Sequence, residues 1–340
     1  MTSPESQAPL VSVVCAWYNR ADYLHDTLSG LLGQEGVEYE VIVVNDGSSD
    51  GRVAEILDAY RHPRLRVIHQ ANQGFVAAIR TAIDAARGRY IAIQGAGDVS
   101  LANRLSRQAD VLDADSQIGI VGCLRQEKVI GGVADGKTVQ AGCGRTSPTL
   151  DDLLHRSNPF SHGEVMFRRT VYDTVGGYRA YFKFAQDRDL WIRMAVHCRM
   201  HVVQEVLYER RTFTQDGVSA SKEKILLQQA LSNFARQCHH DRIRYGFDFI
   251  EKYGTHAGLF RRPSAAYAKT ISKLALQSLY LGETSQALDF GARALDEKRT
   301  AVSSATYLLA WLASRNGTMR RLIVRALGRH PNSSIWAGKS

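Results

Sequence analysis

The chain predicts an α/β fold, a mostly parallel, Rossmann-like sheet flanked by helices, followed by an α-helical appendage. Three observations carry that expectation. Val41–Val44 is a run of four β-branched residues, which reads as a strand buried on both faces, as parallel sheets require. Strand-like and helix-like segments alternate β-α-β-α-β-α-β over roughly the first ninety residues, the order of a doubly wound half. From about residue 222 onward only helical spacing remains.

Taken in order, Leu10–Ala16 is the first buried strand, with Tyr18-Asn19-Arg20 at its carboxyl end. Asp22–Leu32 places Leu24, Leu28, Leu31 and Leu32 on one helical face. The second strand, Glu40–Val44, runs into Asn45-Asp46-Gly47-Ser48-Ser49-Asp50, turn chemistry with a helix N-cap at Ser49 or Asp50. Asp46 is thereby delivered to the carboxyl end of a parallel strand, where open α/β sheets bind ligands; a turn-capping Asp is the plainer alternative. A helix over Val53–Tyr60 and a strand over Arg66–His69 follow. After the Asn72-Gln73-Gly74 turn, an Ala-rich helix covers Phe75–Ala86 with Gly88 as its C-cap. Arg89–Ile93 is the fourth strand, broken by Gln94-Gly95-Ala96-Gly97-Asp98. Beyond it are expected a helix over Ser100–Leu112, strands at Ile118–Cys123, Val165–Arg168 and His201–Tyr208, a hairpin and loop over Gly131–Ser147, a short helix at Asp151–Arg156, and a helix opening at Gln186.

Composition bounds the function. With 340 residues, 44% hydrophobic and 23% charged, the chain has the make-up of a soluble globular protein with room for one large and one smaller domain. The net charge of +9 suits phosphate ligands, anionic headgroups or nucleic acid without choosing among them. Cys15, Cys123, Cys143, Cys198 and Cys238 are scattered, with no C-x-x-C, which argues against a disulfide framework or structural zinc and fits a reducing cytoplasm. The N-terminal MTSPESQAPL reads as no signal peptide, and no apolar run approaches the roughly 18 residues of a membrane span. No nucleic-acid module is evident, and no G-x-G-x-x-G follows the first strand, against a dehydrogenase.

An ordered set of blocks narrows the reading: SVVCAWYN, VIVVNDGSSD, NQGFVAAIRTAIDAARGRYIAI, GAGDVSLANRLSRQ, HGEVMFRR, GGYR and QDRDLWIR. Over roughly residues 10–220 the chain resembles glycosyltransferase family 2, whose fold is the nucleotide-sugar-binding GT-A fold. The resemblance implies an inverting transfer from a UDP-, GDP- or dTDP-sugar to a glycan or lipid-linked acceptor, in bacterial surface polysaccharide synthesis on the cytoplasmic side. It implies that Asp46 accepts a hydrogen bond from the base and that the chain from Ala16 through Tyr18 to Asn19 lines the same pocket. Asn72 and Gly74 then lie beside the nucleoside, Gly95 and Asp98 at the diphosphate, Arg211 near it, His162 on the acceptor side, and Asp187 is the general base. Asp189 is expected to be a structural acid and Trp191 a core residue.

The departure from the family lies after the fourth strand. Relatives carry Asp-x-Asp there, holding Mg²⁺ or Mn²⁺ by hard oxygen ligands. The matching positions here are Gly95 and Gly97, and only Asp98 follows. Three readings stay open: Asp98 holds the metal together with the diphosphate and water, arginines or backbone N–H groups neutralise the leaving group instead, or the domain binds without catalysing. Asp98 could equally cap the next helix.

The domain expectation is a transferase domain over 8–221 and a helical region over 222–340. In the latter, Glu223–Gln237 and Asp241–Lys252 are helical, and Ala265–Leu295 resembles one tetratricopeptide-like helix pair with Leu281-Gly282 at the turn. The last forty residues, 301–340, hold Arg315, Arg320, Arg321, Arg325, Arg329 and Lys339 and no acid. Leu309, Leu312, Leu322, Ile323 and Leu327 give an apolar face, so this stretch is either an ordinary terminal helix or a basic amphipathic helix for peripheral contact with anionic membrane. A role as an interaction protein through these helices is the remaining alternative to catalysis.

Overall fold

The computed structural model describes residues 9–132, 134–214 and 221–328; residues 1–8, Arg329 and Lys339 lie outside them. The chain divides into two compact units, residues 1–130 with 135–213, and residues 131–134 with 214–340.

The first unit is built on one nine-stranded sheet in the order β3-β2-β1-β4-β8-β6-β9-β5, with β7 paired to β6. Its strands are β1 (Val11–Trp17), β2 (Tyr39–Asp46), β3 (Leu65–Gln70), β4 (Tyr90–Gln94), β5 (Val99–Ser100), β6 (Ile118–Ile130), β7 (Thr138–Ala141), β8 (Met166–Arg168) and β9 (Arg199–Phe213). The helices between them are α1 (Leu24–Leu32), α2 (Arg52–Ala59), α3 (Phe75–Asp84), α4 (Arg104–Ala114), α5 (Leu150–His155), α6 (Arg169–Thr174) and α7 (Gln186–Met194). The ladders β1–β2, β2–β3, β1–β4 and β6–β9 are parallel, whereas the short β4–β8, β6–β8, β5–β9 and β6–β7 ladders are antiparallel. Every residue of β1, β2 and β4 is buried, which is why they read as unbroken apolar runs rather than alternating ones. Because β1 lies between β2 and β4, strand order reverses beside it, and the crevice at the carboxyl ends of β1 and β4 is the place such a sheet offers a ligand.

Three local expectations are corrected. Ser100 is not helical: Val99 and Ser100 pair antiparallel with Glu209 and Tyr208, and α4 starts at Arg104 behind the left-handed Asn103. Asp98 therefore caps no helix. Gly88 is not the C-cap of α3, which closes at Ala85; it is a close-approach glycine, where an added Cβ would stand 2.5 Å from the Ser12 backbone nitrogen.

In the second unit a single helix, α8 (Lys222–Tyr245), replaces the expected pair, and a short α9 (Phe249–Tyr253) follows it. Cys238-His239-His240 contains no breaker, and α8 stops where Gly246 takes the left-handed cap conformation, φ 79°. The helix pair is α10 (Ala265–Tyr280) and α11 (Thr284–Glu297), with Gly282 at φ 85° in the turn. A second pair, α12 (Ala301–Arg315) and α13 (Gly317–Gly328), packs against it. Leu279, Ala287, Ala310, Ala313 and Ile323 form their shared core, with Leu309, Leu312 and Leu327 against it. Most of the apolar face foreseen for lipid is thus covered by helix packing, and Leu322 is left 57% exposed. Among the described residues no helix is long and apolar enough to cross a membrane, and none of the five cysteines is in a disulfide.

Candidate functional site

The crevice is closed on one side by the β2 turn. Asn19, at φ 55°, follows β1, and its Oδ1 accepts from the backbone N–H groups of Ser49 (2.9 Å) and Asp50 (3.2 Å). Its own N–H donates to Ser48 Oγ at 2.9 Å. Asn19 therefore fixes the turn after β2 against the end of β1. Ala16 is buried just before it, while Tyr18 is 48% exposed at the same edge, an apolar ring face available to a base.

Asp46 ends β2 and is 3% exposed. Its Oδ1 accepts from Gln70 Nε2 (2.8 Å) and Gln73 N (2.9 Å), and its Oδ2 from Gly74 N (2.9 Å). The carboxylate thus moulds the Asn72-Gln73-Gly74 loop, where Gly74 at φ 84° turns the chain into α3. With about four lone-pair directions on a carboxylate, three bonds leave capacity for one more donor. Gly47 is required here, since a Cβ would crowd the Asn72 backbone.

The loop after β4 is arranged differently. Asp98 is 9% exposed; its Oδ2 accepts from Tyr208 OH (2.8 Å) and its Oδ1 from the Arg211 N–H (2.8 Å). Burial raises the Asp98 pKa above its ordinary value, against the pull of the Arg211 N–H and Tyr208 hydroxyl. Tyr208 OH also accepts from Gly95 N at 3.0 Å, so one buried phenol ties the loop to β9. A side chain at Gly95 would run into the Asp98 carboxylate and Tyr208, and Gly97, at φ 92°, would put a Cβ 3.0 Å from the Phe213 ring. Beneath the loop Arg104, fully buried, donates to Ile93 O (2.8 Å), Ser100 Oγ (2.8 Å) and Gln94 Oε1 (3.2 Å).

These residues do not fit a carboxylate-held divalent ion. A side chain at Gly95 would clash with the Asp98 carboxylate and one at Gly97 would crowd Phe213 at positive φ, while Asp98, held by Tyr208 and the Arg211 N–H, is a single acid whose charged form burial disfavours. Among the described residues no group of three or more His, Cys, Asp or Glu side chains could hold a metal. Positive charge stands nearby instead. Arg20 Nη1 donates to Ala96 O (2.8 Å), and its guanidinium lies 4.1 Å from the Phe213 ring centre. Arg20 and Arg210 both pull the Asp98 pKa down. Arg211, the arginine expected at the diphosphate, directs its side chain to Asp26 (2.8 Å) and Glu209 (2.9 Å); what it contributes to the loop is its backbone N–H.

On the far side, Asp187 occupies the first turn of α7, entered through Ala185 at φ 55°. Its Oδ2 accepts from Asn158 Nδ2 at 2.9 Å, and Oδ1 has no protein partner among the described residues. His162 shares a 2.6 Å hydrogen bond with Tyr178 OH and sits among the rings of Phe75, Tyr178 and Trp191. Burial lowers its pKa, against the charge of Asp187, so the imidazole is held neutral. Asp189, 2% exposed, bonds Arg179 and Arg193 and ties α7 to the turn before it, and Trp191 is wholly buried. Arg20, Asn158, Tyr178 and Tyr208 were not singled out by the sequence. Arg20 directly follows the first block and could have been; nothing near Tyr208 in sequence marks it.

The family model described as glycosyl transferase family 2 matches residues 12–186, half of the chain. The chain belongs to that family. It is a glycosyltransferase with a GT-A-like fold. The Bacillus subtilis (strain 168) glycosyltransferase EpsE is 29% identical over 214 residues, 61% of this chain and 74% of EpsE. A second relative from the same organism is 42% identical over 120 residues but is matched over only 33% of its length. Among solved structures, S. aureus TarS 1-349 in complex with UDP-GlcNAc superposes with TM-score 0.52 at 16% identity, over 90% of this chain and 92% of that one. The Pyrobaculum calidifontis mannosyltransferase PcManGT, in complex with GDP-Man and Mn²⁺, gives 0.51 at 19%, over 95% and 85%. At such identities these two likenesses speak for the fold alone.

Proposed function

We propose that this family 2 glycosyltransferase transfers a sugar, with inversion, from a nucleoside-diphosphate donor to a glycan or lipid-linked acceptor of a bacterial surface polysaccharide. The observation that carries the reading is a line of contacts joining two carboxylates: Asp46 accepts from Gly74 N, Phe75 beside it packs edge-on against His162, and His162 lies in the field of Asp187, whose Oδ1 is unengaged. The base of the nucleotide lies against Tyr18 and the Asp46 turn. The acceptor hydroxyl attacks the anomeric carbon from the face opposite the diphosphate, Asp187 takes its proton, and the sugar–phosphate bond breaks to release the nucleoside diphosphate. Proton removal by such a base contributes about 10²–10⁴-fold. Charge on the leaving diphosphate is met by Arg20 and by backbone N–H groups of the glycine-rich loop, a preorganised positive field of the kind that stabilises developing anions. The mannosyltransferase neighbour holds Mn²⁺ and TarS holds UDP-GlcNAc; this chain is read as binding a similar donor without a carboxylate-held ion.

The test is calorimetry with UDP, GDP and dTDP, each with Mn²⁺, Mg²⁺ or EDTA, on wild type, Arg20→Gln and Asp187→Asn. One nucleotide should bind equally with and without EDTA, more weakly in Arg20→Gln, and unchanged in Asp187→Asn, whose turnover should fall about 10²–10⁴-fold. Binding of none of the three would end the reading of a UDP-, GDP- or dTDP-sugar donor, and binding abolished by EDTA would end its metal-free form.

A further inference from the structure

A cavity of about 590 Å³ lies beside Asp187, lined by Arg125, Arg145, Asp152, Arg156, Ser157 and Asn158 together with the Gly142-Cys143-Gly144 backbone. It is joined to the reaction centre by a shared side chain, since Asn158 both lines it and holds Asp187 Oδ2. Its walls come from separate elements: Arg125 from β6, Arg145 from the loop after β7, Arg156 from the end of α5.

The charge on these walls is unbalanced. Asp152 is the only acid among the lining residues. Arg145 pairs with its Oδ1, and Arg156 reaches the same oxygen at 3.4 Å. Oδ2 is committed to capping α5, accepting from Thr149 N at 2.9 Å. One carboxylate thus serves two guanidiniums and a helix cap. Arg125, also in the lining, is paired with Glu127 (2.9 Å) and Glu164 (3.3 Å). Two guanidiniums, Arg145 and Arg156, against the one carboxylate of Asp152 leave the concavity net positive, which concentrates anionic ligands, and guanidinium forks match carboxylate and phosphate oxygens. A neutral saccharide would leave this field without a complement.

We propose that the cavity is the acceptor subsite and selects an acceptor carrying an anionic group, carboxylate or phosphate, close to the hydroxyl that is glycosylated. The proposal rests on the reading of Asp187 as the base. Arg145 and Arg156 hold the anionic group, and Asn158 keeps the carboxylate of Asp187 at the cavity edge.

The test uses the full chain and three probes, methyl β-glucuronide, glucose 6-phosphate and methyl β-glucoside, titrated by ligand-observed NMR. The two anionic probes should bind about tenfold tighter than the neutral one, with the advantage shrinking in high salt as screening predicts. Arg145→Gln/Arg156→Gln should erase the difference, whereas Arg145→Lys should keep part of it; melting temperatures show whether each variant is folded. Preference for carboxylate over phosphate, or the reverse, identifies the group. Equal binding of all three probes, binding of none, or a preference that survives the double variant overturns the subsite. The base reading fails separately, if Asp187→Asn retains full turnover while the anionic preference persists.

Discussion

The turns after β2 and β4 invite comparison, because each brings an aspartate to the carboxyl edge of a parallel strand and the two acids do opposite work. Asp46 gathers donors from Gln70, Gln73 and Gly74, all within thirty residues, and shapes a loop exposed to the crevice. Asp98, also buried, gathers donors from Tyr208 and Arg211, more than a hundred residues away, and fastens its loop to β9. The first carboxylate moulds a loop at the crevice edge, proposed above to receive the nucleotide, whereas the second fastens a glycine-rich loop to β9. An acid at a strand end is therefore no guide to its role until its donors are known.

The largest effect should come from reinstating the family's acid. In Gly95→Asp the new side chain enters space held by the Asp98 carboxylate and Tyr208. Overpacking and a second buried carboxylate should together cost roughly 3 kcal/mol or more, read as a fall in the unfolding midpoint. A stable Gly95→Asp protein that gained Mn²⁺-dependent nucleotide binding would break the contrast outright.

Next come the two aspartates themselves. Asp98→Ala orphans the buried Tyr208 hydroxyl and the Arg211 N–H, a loss of about 1–3 kcal/mol in chemical denaturation. Asp46→Ala should cost less stability, because Gln73 and Gly74 lie at the surface and water can replace the carboxylate, but it should weaken nucleotide binding about tenfold. The pattern expected is crossed: Asp98→Ala the less stable, Asp46→Ala the poorer binder. Equal losses of both properties in both variants would mean that the turns do the same work.

This contrast also explains what could be read from the sequence. The β-branched strands β1, β2 and β4 were legible because burial on both faces is written in consecutive residues. So was α7, whose start at Gln186 agrees with the expected one. The β5 strand was not, because two residues become a strand only by pairing with β9, and Ser100 alone looks like a helix cap. The continuity of α8 was not legible either, because the polar Cys238-His239-His240 is compatible with helix and the stop lies at the left-handed Gly246. Glycines at 95 and 97 were visible as a departure, but not the reason for it, which is Tyr208 and Phe213 arriving from the distant end of β9.

The smallest effect concerns Glu164, which lies under the same β4 loop. Gln108 links them, donating to the Glu164 carbonyl (2.7 Å) and accepting from Arg104 (3.2 Å), which in turn holds Gln94. Burial pushes the Glu164 carboxyl up from 4.5 to about 7, against the opposing charge of Arg125. Its Oε2 has no partner among the described residues, so no donor at that oxygen offsets the cost of a buried charge. Between those two pH values the folded chain holds a proton that the unfolded chain has released, so stability falls as pH rises through this window and levels off above it. From pH 6 to 7 the loss from this group should be about 1 kcal/mol. Glu164→Gln keeps the shape without the titration, so its unfolding midpoint should change less over that interval and exceed that of the wild type at pH 8. Parallel pH profiles for the two proteins would show Glu164 to be already ionised below pH 6, and Arg125 rather than burial would then govern the charge beneath the loop.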